Sequence, residues 1–84
     1  MEDADMDIAK ERSGFISPSE FERFEKQVEL SAELEMIPVR KHYSGNVGFH
    51  EKWFVNRATQ QVFRLVTPAW PFRGVWEVVP EHEL

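Results

Sequence analysis

The chain has 84 residues, no cysteine, and 15 acidic against 10 Lys and Arg residues, a formal net charge of −5. That length fits one small domain, which buries roughly 60–65% of its unfolded surface and folds with little stability to spare. At 42% hydrophobic with eleven aromatics it is too apolar for a disordered chain, and lack of cysteine excludes disulfide frameworks and thiolate metal sites. No apolar run is long enough to span a membrane and no secretory leader is evident, so a cytoplasmic protein is expected.

The charge is asymmetric. Residues 1–35 hold eleven acids and four bases, whereas residues 36–84 hold four acids and six bases. Such a half repels nucleic acid and anionic membrane and speeds encounter with a basic partner, unless it is only a solubilising helix face and a solvated tail.

Residues 1–14 are polar, acidic and end in Ser13-Gly14, the composition of a mobile acidic arm, leaving 15–84 as a single domain. Ser17-Pro18-Ser19-Glu20 then reads as a helix start. The Ser17 hydroxyl accepts from the amide of Glu20, the Glu20 carboxylate reaches back, and Pro18 at the first helical position loses no hydrogen bond. Phe15 or Ile16 is placed to staple onto Phe21. Phe21, Phe24 and Val28 share one helical face. The helix end is ambiguous, because Val28, Leu30, Ala32, Leu34 and Met36 also alternate with polar residues. The expectation is a helix to about Val28 and a strand from about Ala32 to His42, an edge strand or one that bends at Pro38, which has no amide hydrogen.

Tyr43-Ser44-Gly45-Asn46 is a turn cluster. Phe49–Asn56 and Gln61–Thr67 read as strands joined by the polar link Asn56–Gln60, a hairpin. Two prolines keep residues 68–74 out of a central strand, and Val75–Val79 is a final strand. The sum is α+β: one N-terminal helix packed on a small antiparallel sheet of three to four strands.

The chemistry-bearing residues do not form a recognisable catalytic or metal pattern. His42, His50 and Glu51 meet only if adjacent strands bring them together, and zinc needs three or four converging ligands. His50-Glu51 lacks the second histidine of a zinc-protease helix. Ser17 and Ser44 have no Gly-x-Ser-x-Gly elbow, Glu51 and Glu77 have no fixed spacing, and Gly45, Gly48 and Gly74 make no phosphate loop. The expectation is a non-enzyme with no cofactor and no metal. Trp53, Phe54, Phe63 and Trp76 suit base stacking or simply the core of a domain with four leucines; the negative charge opposes phosphate.

Trp70, between Pro68 and Pro71 with Phe72 and Arg73 beside it, is the most informative segment. Trp and Arg are enriched at binding hot spots, and prolines reduce the entropy lost on docking. The alternative is that Trp70 folds back as a lid over the sheet. The expected partner-binding residues are Trp70, Phe72 and Arg73 of this loop, with Glu22, Glu25 and Glu29 of the helix.

Two stretches resemble known families. Gly48-Phe49-His50-Glu51-Lys52-Trp53-Phe54-Val55-Asn56, then Thr59, Phe63-Arg64-Leu65 and Pro68, resembles small bacterial immunity proteins of polymorphic or contact-delivered toxin systems. Within residues 48–74, Phe49 stands where that pattern has Trp, Gln60 where it has a turn Gly, and Gly74 alone represents its glycine-rich loop. The resemblance implies a domain that binds and neutralises a toxin. Trp53-Phe54-Val55-Asn56-x-x-Thr59 is also similar to a WW-domain stretch, which implies binding of proline-rich peptides, but Arg64 occupies the spacing of the second signature Trp. A protein partner follows from either, or from an adaptor role in a larger assembly; a toxin domain is the partner the first implies, and the acidic half suits a basic one.

Overall fold

The computed structural model describes residue 8, residues 10–45 and residues 48–84. One helix, α1 (Pro18–Leu30), packs on a four-stranded sheet of β1 (Leu34–Ile37), β2 (Glu51–Asn56), β3 (Val62–Val66) and β4 (Val75–Val78). The strands lie in sequence order and every neighbour is antiparallel, so each connection is local. This is the α+β arrangement expected from the sequence.

The helix starts as the Ser17 pattern dictates. Glu20 N donates to Ser17 Oγ at 3.2 Å, and Pro18 sits in the first turn. The Glu20 carboxylate reaches one residue further back than a capping box does, accepting from Ile16 N at 2.6 Å. Of the two staple candidates, Phe15 is buried and meets the Phe21 ring edge-on at 5.2 Å, whereas Ile16 is exposed.

The helix outlasts the expectation by about two residues. Leu30 stays helical, and Ser31 ends the element: its amide donates to Val28 O and its hydroxyl accepts from Glu33 N. Ala, Glu and Leu favour helix, so local propensity outweighed the alternating pattern. The first strand is correspondingly shorter than Ala32–His42. It runs only from Leu34 to Ile37 on the edge of the sheet, and stops at Pro38.

The β2–β3 hairpin is closed by side chains. Ala58 N and Thr59 N both donate to Asn56 Oδ1, at 2.9 and 3.0 Å, and Gln61 N donates to Thr59 Oγ1. Gln60 takes φ of +67°, the left-handed conformation that usually selects glycine. Tyr43–Gly45 of the expected turn form a short 3-10 helix, and Asn46 lies outside the described residues.

Residues 1–7 and Ala9 of the expected arm lie outside the described residues. Arg12 exchanges both backbone hydrogen bonds with Trp76 (2.7 and 2.9 Å). Ile8 O accepts from Trp76 Nε1, and the Glu11 carboxylate accepts from Val78 N. This segment thereby covers part of the β4 edge, which would otherwise expose unpaired backbone groups.

Strand alternation sends side chains to two faces. On the helix side Phe54, Phe63, Leu65 and Trp76 join Phe15, Phe21, Phe24 and Val28 in one core, with Phe63 stacked on Trp76 at 4.8 Å. Trp53, Arg64, Val66 and Val75 are buried on the reverse side. There Tyr43 lies beneath the Arg64 guanidinium and contacts Phe49 and Phe72. The C-terminal 3-10 turn, Glu81–Glu83, adds Glu83 to the same face.

Candidate partner-binding site

The loop after β3 turns sharply, Ala69 and Phe72 exchanging backbone hydrogen bonds at 3.0 and 2.9 Å around Trp70 and Pro71. Its end needs Gly74, where φ is +83° and an added Cβ would come within 2.8 Å of Val66 O and 3.0 Å of Pro68. Gly74 therefore has a backbone reason to be there.

This turn sends its two aromatics apart. Trp70 is 45% exposed and borders a groove of about 230 Å³ on the helix side, with Pro18, Phe21, Glu22, Glu25, Thr67 and Pro68. Phe72 is half-buried and packs against Phe49 at 4.8 Å and Tyr43 at 5.8 Å, bracing the reverse side. Arg73 is exposed but stands elsewhere: its carbonyl accepts from Phe15 N and its side chain runs past Gly14. The structure thus brings Trp70 together with Glu22 and Glu25, and leaves Phe72 and Arg73 outside that groove.

The acidic helix face is partly answered within the fold. Lys52 Nζ bonds Glu25 Oε2 at 3.1 Å and also bonds Glu29. The bond to Glu29, then that to Glu25, raises the Lys52 pKa above its ordinary value despite its partial burial. Arg12 Nη2 lies 3.0 Å from Glu20 Oε2. The Ile16 amide, with Arg12 as a further contributor, holds the Glu20 carboxyl below its ordinary range. Glu22 has no such partner among the described residues. Glu22, Glu25 and Glu29 also line a shallow shelf on the outer helix surface, together with Ser19, Arg23 and Lys26.

The sequence pointed to the Trp70 loop and to the acids, but not to the groove walls Pro18, Phe21, Thr67 and Pro68. It also missed Lys52 as their counter-ion. A signal for Lys52 was present: two residues before Phe54 in β2 it lies on the same, helix-facing side of the sheet, where a lysine needs carboxylates.

The remaining candidates are structural in their contacts. Glu51, with a side chain only 1% exposed, accepts from Tyr43 N at 2.7 Å and Trp53 Nε1 at 3.0 Å, and lies 3.5 Å from His42 Nδ1. Among the described residues no three His, Asp or Glu side chains converge on one point. Trp53 and Phe54, which carry the similarity to WW domains, are enclosed and offer no face to a peptide. No helix among the described residues is long and apolar enough to cross a membrane.

Comparison with family models, curated proteins and solved structures finds no match.

Proposed function

We propose that the protein is a non-catalytic binding domain that docks another protein through the groove beside Trp70. The observation that carries this reading is the half-exposed indole itself. A tryptophan in a small domain short of aliphatic residues is valuable to the core, yet Trp70 is held at the surface by a hydrogen-bonded turn. It borders Pro18, Phe21 and Pro68 and the carboxylate of Glu22, which has no partner among the described residues. An exposed aromatic beside a small recess lined by both apolar and polar side chains is the kind of surface that serves as a binding hot spot.

The resemblance of residues 48–74 to immunity proteins gives the partner its expected kind, a toxin domain that this chain would mask. A role as an adaptor in a larger assembly would use the same surface. The negative N-terminal half, including Glu2, Asp3, Asp5 and Asp7, suits a basic partner and would act mainly on the encounter rate.

The test is affinity capture from cells of the source organism with the wild-type chain and with Trp70→Ala, each shown to be folded by circular dichroism. A protein retained by wild type and lost with the folded variant supports the reading. Its association rate should fall as salt rises, since screening shortens electrostatic reach to about 8 Å at physiological ionic strength. Equal retention by both chains contradicts it.

A further inference from the structure

We infer that the groove beside Trp70 takes an arginine side chain of the partner, its guanidinium flat against the indole and paired with Glu22. This rests on the protein-docking reading of the same surface and adds the chemistry of what enters it.

Three observations point to a cation with an apolar stem. The groove is lined by the apolar side chains of Pro18, Phe21, Pro68 and Trp70 together with Glu22, Glu25 and Thr67. Among the described residues no lysine or arginine lines the groove; Arg23 and Lys26 belong to the adjoining shelf. Lys52 already bonds Glu25 and Glu29, which leaves Glu22 as the groove carboxylate with no partner among the described residues. A neutral apolar side chain would fill the walls and leave Glu22 unanswered. A carboxylate would meet Glu22 and Glu25 head-on.

Arginine suits these features better than lysine. Its guanidinium is planar and weakly hydrated, stacks on an indole face, and matches a carboxylate with two parallel hydrogen bonds. Lysine is a strongly hydrated point charge that uses the indole face less fully. The positive end of the helix dipole near Pro18 opposes a cation, but the Glu20 carboxylate lies against that end, accepting from Ile16 N.

The test is an NMR titration of the full chain with three small probes: Nα-acetyl-argininamide, its neutral citrulline analogue, and its norleucine analogue. The Trp70 indole N–H resonance, assigned by its loss in Trp70→Phe, is the readout. Trp53 and Trp76 are fully enclosed and serve as internal controls of the fold. The arginine probe should shift the Trp70 resonance saturably, and the other two should bind about fivefold or more weakly. Glu22→Gln should weaken the arginine probe about two- to fivefold and leave the norleucine probe unchanged. In Trp70→Ala, which lacks that resonance, the saturable arginine-induced shifts of the Glu22 and Thr67 backbone amides should be lost.

If the norleucine probe binds as well as the arginine probe, the groove is an apolar docking site: the arginine inference fails and the protein-docking reading stands. If none of the probes shifts Trp70 saturably, the arginine inference also fails, and the capture experiment decides the docking reading by itself.

Discussion

The two faces of the sheet are buried by different means. The helix face is an aromatic core, in which Phe24 sits between Phe15 and Trp76, at 5.4 Å from each ring, and Trp76 stacks on Phe63. The reverse face is closed by short irregular segments that cannot supply a continuous apolar surface. It is held by polar anchors together with the small ring cluster of Tyr43, Phe49 and Phe72. Arg64, 3% exposed, bonds Glu77 Oε2 through Nε at 2.8 Å. Its Nη1 lies 2.9 Å from Glu83 Oε1 without the angles of a hydrogen bond. The difference teaches that a regular element covers a sheet by area, whereas a loop covers it by specific contacts. The segment between β3 and β4 serves both faces, sending Phe72 to brace the reverse one and Trp70 to the groove beside the helix.

The contrast is sharpest at the helix face, where loss of area should cost most. Phe24→Ala removes a fully buried ring from between two aromatic neighbours, Phe15 and Trp76, and is expected to destabilise by about 3–5 kcal/mol. In a domain of this size that displaces the thermal midpoint by tens of degrees, or leaves the chain unfolded at ambient temperature. A midpoint lowered by only a few degrees would mean that the face re-packs freely and is no jigsaw core.

On the reverse face the expectation depends on what replaces the anchor. Arg64→Ala leaves Glu83, with an 18% exposed side chain, facing a void, and should cost about 2–3 kcal/mol; Glu77 is exposed enough to regain water. Arg64→Met keeps the stem volume and should cost about 1 kcal/mol or less, because replacing a buried ionic group by a well-packed apolar one is often close to neutral. Equal losses in the two variants, measured by urea unfolding, would show that charge rather than volume closes this face.

How far the sequence revealed these two faces follows from the same contrast. Phe21, Phe24 and Val28 announce themselves by helical spacing, and Ser17-Pro18-x-Glu20 marks where the helix begins, because these signals are local. Glu77 and Glu83 carry no comparable mark. They matter only because β4 and the C-terminal turn return beside β3, a fact of tertiary register. The groove was half legible for this reason: Trp70 stood out between its prolines, while its neighbours Pro18 and Phe21 come from the helix start, distant in sequence. The helix end was misplaced because the alternation of Val28 to Met36 spans two elements and belongs wholly to neither.

The junction where the two faces meet the N-terminal segment is tuned by Glu20. Ser17→Ala should lower stability by about 1 kcal/mol, several degrees in the thermal midpoint. The Glu20 carboxyl is held below its ordinary value of 4.5, first by the Ile16 amide. Its contribution is therefore fully present above about pH 4.5 and is lost as pH falls through the lower folded value. A plot of thermal midpoint against pH should be shallower below pH 4.5 for Glu20→Gln than for wild type. Parallel curves would remove Glu20 from the acid response.

The substitution with the largest consequence for function is at Trp70. The indole is 45% exposed and still buries roughly half of its surface, so Trp70→Ala should cost the fold about 2–3 kcal/mol, less than the fully buried Phe24. The decisive measurement is the dissociation rate of the captured partner from wild type and from this variant, with the thermal midpoint recorded alongside. A folded variant that releases the partner about thirtyfold faster, corresponding to about 2 kcal/mol or more, is the predicted result. A folded variant with an unchanged dissociation rate, or one that unfolds because Trp70 is a lid on the core, would contradict the account.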